Sequence, residues 1–279
     1  MTDNAMYIDA HQHFWQYDPQ RDGWIDDSMK AIRRDFMPSD LKPVLREHGI
    51  QGCIAVQASQ SEDETRFLLE CAREHAFIKG VTGWVDLLSD KAGERLEHFS
   101  ENVFFRGVRH IVQAEPDGFM SRPDFRRGIT ALKDFGLTYD ILVHAHQLPE
   151  AIALVRQFPA QPFVLDHIAK PAVSKGVDRI WAGHIRELAQ CGNVYCKVSG
   201  MVTETEGYCW EQGDFEPFLE AVTEAFGTDR IMFGSDWPVC LVAARYGEVV
   251  RLVRNFYSED ELPGIMGQNA VKFYGISGI

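Results

Sequence analysis

Short apolar runs recur along the chain, each ending in polar or turn residues. Eight of them read Tyr7–Ala10, Cys53–Ala58, Gly80–Val85, Phe104–Val108, Thr138–Val143, Pro162–Leu165, Asn193–Val198 and Arg230–Phe233. They are rich in Val, Ile, Phe and Tyr, the residues that fit a pleated, buried surface. Between them Asp63–His75, Lys91–Phe99, Pro123–Phe135, Pro149–Phe158, Asp178–Cys191, Phe215–Phe226 and Tyr246–Phe256 carry apolar residues at i, i+3 and i+4, the stripe of an amphipathic helix. The longest gap between strands, Phe14 to Gly52, holds Trp15, Tyr17, Trp24 and Pro38 before a helical Ser39–His48, and reads as an active-site loop followed by the first helix. Alternating strands and helices predict parallel β/α units. Eight such units predict an α/β fold, a (β/α)8 TIM barrel forming a single domain over residues 1–279. A doubly wound sheet would place a glycine-rich phosphate loop after its first strand; here His-Gln-His-Phe-Trp follows, and neither G-x-G-x-x-G nor G-x-x-x-x-G-K-[ST] occurs.

Charge narrows the partners. With 28 Lys+Arg against 41 Asp+Glu the net charge is −13, and no block of like charges supplies the phosphate attraction that nucleic-acid binding needs. No apolar run approaches the ~20 residues of a bilayer span, so neither nucleic acid nor membrane is an expected partner. The start MTDNAMYIDAHQHF lacks the basic and apolar regions of a signal peptide, which predicts a cytoplasmic protein. Six cysteines (Cys53, Cys71, Cys191, Cys196, Cys209 and Cys240) show no C-x-x-C spacing and read as reduced thiols. Assembly as a monomer or a homodimer stays open.

In a barrel the C-terminal ends of the strands converge on the active site, so polar residues there carry the information. His11 and His13 follow the first run, two apart, so on an extended chain both imidazoles face one way. The sixth run ends Asp166-His167-Ile168-Ala169-Lys170-Pro171, with His167 the inward-facing candidate. The eighth leads to Gly234-Ser235-Asp236-Trp237-Pro238, a carboxylate at a strand tip that suits activation of water. Loop hydrogen bonds, a helix cap or a salt bridge would explain any one of these residues; the constellation points to catalysis. His11, His13, His167 and Asp236 also suit one Zn²⁺, through neutral imidazoles and a carboxylate, and the same groups with hydrogen-bond donors could activate a reactive ester without metal. Arg109 and His110 after the fourth run, and Lys197 in the seventh, are substrate-binding candidates, with an ion-pair role inside the barrel the alternative for Lys197. Glu204, in the loop after the seventh run, is a candidate general acid or base. Trp15, Trp84, Trp210 and Trp237 fall near strand ends, where indole rings meet the C–H faces of sugars, and Gln57 and Gln113 add hydrogen-bonding groups. Trp24 and Trp181 read as packing residues.

Taken together, DAHQHFW, FRGVRHIVQAEPDGF, YDILVHAHQLP, FVLDHIAKP, YCKVSGMVTE and RIMFGSDWPV resemble the amidohydrolase superfamily in its branch of sugar-lactone hydrolases, over nearly the whole chain. The resemblance implies a (β/α)8 barrel, opening of an aldonolactone such as an L-fucono- or L-rhamnono-lactone to the acid, and an aspartate after strand eight acting on water, here Asp236. It also implies one dispensable divalent metal at most, because strand four ends Val108-Arg109-His110 where binuclear members carry a bridging acid. Where relatives in the branch often have an aromatic or basic residue after strand five, this chain has His144 and His146; His144 is a candidate substrate contact. The rival readings are a pyrone- or muconolactone-type lactonase, a metal-dependent decarboxylase of the same superfamily, and a barrel that binds without turnover.

Overall fold

A computed structural model describes residues 6–276. Its strands are β1 (Ile8–Gln12), β2 (Gly52–Val56), β3 (Ile78–Gly83), β4 (Phe105–His110), β5 (Thr138–Ile141), β6 (Phe163–Leu165), β7 (Val194–Val198) and β8 (Ile231–Phe233). All pair in parallel with their sequence neighbours in the order β1 to β8. Just beyond β8 the sheet closes on itself: Asp236 N–H donates to His11 O (2.8 Å) and His13 N–H to Trp237 O (2.7 Å). The result is the expected (β/α)8 barrel.

Helices α1 (Pro38–Glu47), α2 (Glu62–Glu74), α3 (Ala92–Ser100), α4 (Pro123–Leu132), α5 (Leu148–Gln157), α6 (Arg179–Ala189), α7 (Glu216–Phe226) and α8 (Tyr246–Phe256) form the outer ring. Their starts carry familiar chemistry: Ser61 caps α2 through Glu64 N–H, Asp178 caps α6 through Ile180 N–H, and prolines occupy the first turn of α1, α4, α5 and α7. Apolar helix faces meet the outer strand faces in the main core. A second core fills the barrel floor, where Ile8, Ala10, Ile54, Val56, Val164 and Met232 pack with Ala270 and Phe273 of a short terminal helix, α9 (Asn269–Phe273), and with Tyr274 just after it. The apolar pattern gave no expectation of α9, which is too brief to show a helical period. Among the described residues no helix is long and apolar enough to cross a membrane.

One irregularity matters for the site. Along β1 and β2 the register runs Asp9↔Cys53 and then Gln12↔Ala55, so β1 carries one extra residue. Such a bulge reverses which face later residues take. Ile8 and Ala10 join the barrel floor, yet Gln12 donates to Cys53 Sγ on the outer side (3.3 Å), and His11 and His13 turn to the interior.

Candidate active site

The strand mouths deliver His11 and His13 from β1, His167 from the segment after β6 and Asp236 from the segment after β8, all buried. His13 Nε2 lies 3.2 Å from Asp236 Oδ1, His11 Nε2 3.8 Å and His167 Nε2 3.9 Å. His13 is fixed from behind by Val56 O, 2.7 Å from Nδ1. His167 is fixed by Ser199 Oγ, 2.9 Å from Nδ1. Burial keeps His11 and His167 well below the ordinary imidazole value, so both rings are neutral at neutral pH. Burial works against an ionised Asp236, but His167 and His13 outweigh it and hold its carboxyl below the usual carboxylate range.

The segment after β6 is bent in an uncommon way. His167, Ile168, Ala169 and Lys170 all take left-handed backbone conformations, with φ of 53°, 48°, 63° and 51°. Each costs a side-chain-bearing residue about 1 kcal/mol or more, and most for β-branched Ile168. Backbone bonds hold the bend: Lys170 N–H donates to His167 O (2.8 Å), and the Trp181 indole N–H to Ile168 O (2.9 Å). The turn carries both His167 and Lys170 onto one cavity wall.

Beneath the imidazoles lies a buried charge network. Lys197 Nζ donates to Asp140 Oδ2 (2.5 Å), lies 3.2 Å from His11 Nδ1, and pairs with Asp166 Oδ1 at 3.0 Å. Arg109 donates from one guanidinium nitrogen to Asp166 Oδ2 (3.1 Å), with His11 Nε2 3.2 Å away, and from the other to Gln57 O. Tyr274, just after α9, donates to Asp140 Oδ2 (3.0 Å). Burial opposes the charge on Lys197, yet Asp140 and Asp166 raise its pKa; burial likewise opposes ionisation of Asp166, which Lys197, His11 and Arg109 hold well below the carboxylate range.

Above this floor opens a cavity of about 340 Å³. Its polar lining is His13, Gln60, Arg109, Gln113, His167, Lys170 and Asp236; its apolar lining is Trp24, Ala58, Ile111, Ala114, Leu142 and Val239. Several candidates from the sequence fall elsewhere. Lys197 is fully buried in the network below and has no route to a substrate. His110, next to inward-facing Arg109, points outward by strand alternation, stacks on Phe119 (4.7 Å) and bonds Glu115 (2.8 Å). His144 lies in a neighbouring surface hollow with His146 and His184, on the other side of Lys170 from the cavity. Gln57 is buried and donates to Arg109 O (3.1 Å), so it holds Arg109 rather than a ligand. Trp15 is locked between Trp24 and Phe36 with its indole N–H on Arg34 O (2.9 Å). Trp84 is tied to Thr65 through its backbone, away from the cavity, and Trp210 and Trp237 pack within loops. Trp181 packs against Phe218 as expected, but Trp24, read as packing, lines the cavity and is 44% exposed. Glu204 stands behind Lys170, Oε1 to Nζ 3.4 Å, and burial raises its pKa. Lys170 and Gln60 are polar cavity residues that sequence reasoning missed, although Lys170 stood in the quoted DHIAKP cluster.

The donor set fits one cation. Ligand atoms of His11, His167 and Asp236 lie within 4.8 Å of one another. His13 has an oxygen at each ring nitrogen, Val56 O and Asp236 Oδ1, and a neutral imidazole donates to only one of them. Arg109 faces the His11 lone pair that an ion would use, so guanidinium and metal compete for the same nitrogen.

An eight-stranded β/α barrel whose mouth gathers imidazoles and a carboxylate over a small cavity is the frame of a barrel enzyme. The chain matches the amidohydrolase family over residues 8–276 and belongs to that family. It is 39% identical to an L-fucono-1,5-lactonase of Burkholderia multivorans across 98% of this chain and 97% of that protein. It is 37% identical to the L-fucono-1,5-lactonase of Burkholderia ambifaria, across 96% and 95%. A crystal structure of an amidohydrolase from Burkholderia multivorans with bound zinc superposes with a TM-score of 0.94 at 39% identity, covering 98% of this chain and all of that one.

Proposed function

We propose that the protein hydrolyses the ester of a sugar lactone, with an L-fuconolactone-like aldonolactone as substrate and the aldonic acid as product. The observation that carries this reading is Asp236, an ionised carboxylate on the cavity wall held by His13 and flanked by neutral His11 and His167. The names of the two Burkholderia relatives support it. Asp236 accepts a proton from water as the water oxygen bonds to the lactone carbonyl carbon. The imidazole N–H groups and the Lys170 ammonium face the oxyanion that forms, while Arg109 stays fixed by Asp166 and Gln57 and holds His11. When the ring C–O bond breaks, its electron pair goes to the ring oxygen, and Glu204 supplies the proton through the Lys170 ammonium at 3.4 Å. The proton on Asp236 then returns to Glu204, and the carboxylic acid product ionises, so each turnover releases one proton to solvent. A divalent ion held by His11, His167 and Asp236 would add Lewis-acid polarisation of the carbonyl. Ile111, Leu142 and Val239 offer no hydrogen-bonding side chain and suit the methyl end of a 6-deoxy sugar. A planar dicarboxylate, as in pyrone hydrolysis, would need cationic partners, and of the cavity's Arg109 and Lys170 the first is already committed inside the barrel.

The test is acid release in weak buffer with L-fucono-, L-rhamnono-, L-galactono- and D-arabinonolactones, before and after chelation. Turnover well above the spontaneous rate is expected on at least one, and Asp236→Asn should lower kcat by about 10³-fold. Rates equal to the spontaneous ones, with and without added Zn²⁺, would reject the reading. Full activity in Asp236→Asn would reject the role of that carboxylate.

A further inference from the structure

The groups assigned to ester chemistry account for one part of the cavity and leave Trp24 and Gln113 without a task. Both come from loops rather than strands, and each bears a mark of an unfilled contact. Gln113 Oε1 is buried and has no hydrogen-bond partner among the described residues. A buried carbonyl oxygen left without a donor is unfavourable in the folded protein, so a rotation of the Gln113 amide that turns Oε1 into the cavity, where a ligand O–H donates to it, is favoured. The surrounding backbone is fixed, with Gln113 N–H on Leu142 O (3.0 Å) and Gln147 Nε2 donating to Val112 O (3.1 Å). The neighbouring amide in the cavity, Gln60, is already engaged, its Oε1 accepting from Ile111 N–H (2.7 Å). Trp24 exposes 44% of its surface, far more than other tryptophans set in an aromatic cluster, such as Trp15 at 3% and Trp237 at 2%. It is held on Trp15 edge to face, with centroids 5.9 Å apart and rings at 87°, and Trp15 is itself anchored to Arg34 and Phe36. A rigidly mounted, half-exposed indole on a cavity wall fits the C–H face of a saturated, hydroxylated ring.

We infer that Trp24 and Gln113 form the sugar-recognising half of this cavity, Trp24 stacking on the ring's C–H face and Gln113 Oε1 accepting from a ring or side-chain hydroxyl. The inference rests on the lactonase reading and adds to it the residues that separate a polyhydroxylated lactone from a bare one. Binding energy from groups remote from the ester is what such selectivity requires, and an acceptor waiting for a hydroxyl disfavours an analogue that lacks it.

The experiment compares L-fuconolactone with δ-valerolactone, which keeps the ester ring and lacks every hydroxyl. The bare lactone is read as a substrate or, where turnover is too slow, as a competitive inhibitor. For Trp24→Ala and Gln113→Ala, the preference for the sugar lactone over the bare one should fall at least tenfold, with thermal midpoints near that of the wild type. Trp24→Phe keeps an aromatic face and should restore most of the preference, which a merely structural role would not predict. A preference that falls less than tenfold in both alanine variants would overturn the inference while leaving the lactonase reading intact. Wild-type protein that hydrolyses neither lactone would overturn both.

Discussion

Gly200 shows how closely single positions are constrained here. Its backbone takes φ +62°, and a Cβ at that position would meet His167 Nδ1 at 2.5 Å. Gly200→Ala therefore combines a left-handed alanine, about 1 kcal/mol or more, with displacement of an imidazole that faces Asp236. The expected outcome is a stability loss of about 1–2 kcal/mol in urea titration together with at least a tenfold fall in kcat/KM. Unchanged kinetics would mean that His167 tolerates the shift. Other residues differ in how far the chain announces them. His11, His13, His167 and Asp236 are visible because ionisable groups at the ends of apolar runs are rare and expensive to bury. Trp24 is not visible, because an indole in an aperiodic loop has the same composition whether it packs or lines a cavity. His110 misleads for a related reason: it sits one residue from Arg109, and strand alternation sends the two to opposite faces.

Strands and turns supply what individual side chains cannot. The bulge in β1 moves His11 and His13 inward; without the extra residue, the alternation set by Ile8 and Ala10 would send them to the helix side. The left-handed run from His167 to Lys170 does the same for β6, and Trp181 and Gly200 hold it from α6 and from the end of β7. Strain of this kind persists where surrounding structure over-determines it, and it clusters at functional sites. Strands β4 to β7 contribute the charges under the site, with Lys197 between Asp140 and Asp166. Lys197→Met would leave two buried carboxylates without their shared cation and should cost about 3–5 kcal/mol in denaturant unfolding. Adding Asp140→Asn should recover part of that loss. If Lys197→Met unfolds at the wild-type midpoint, the network is not supporting the fold.

Across the molecule, pH dependence reports on buried acids. Glu64, in the first turn of α2, accepts from Ala58 N–H, and burial pushes its pKa up to about 7 against an ordinary 4.5. The unfolded chain therefore loses this proton first, so Glu64 stabilises the fold fully below about pH 4.5 and progressively less as the pH rises to about 7. Relative to Glu64→Gln, the wild type should lose on the order of 3 kcal/mol across that window in denaturant titrations. Parallel stability curves for the two proteins would remove the buried charge from the account. The barrel itself was legible from the chain, because burial on both faces writes parallel strands as short apolar runs and the helices between them as amphipathic stripes. Acidic charge, absent phosphate loops and the polar strand ends were legible too, and with them the His11, His13, His167 and Asp236 constellation. The direction in which each side chain points was not, since a bulge, a left-handed turn and strand alternation act through spatial neighbours. Nor could the chain show that Lys197 lies below the cavity, that Lys170 and Trp24 line it, or that α9 closes the barrel floor. Those placements depend on contacts between residues far apart in sequence, and packing and hydrogen-bond satisfaction choose among them only once the strands have closed.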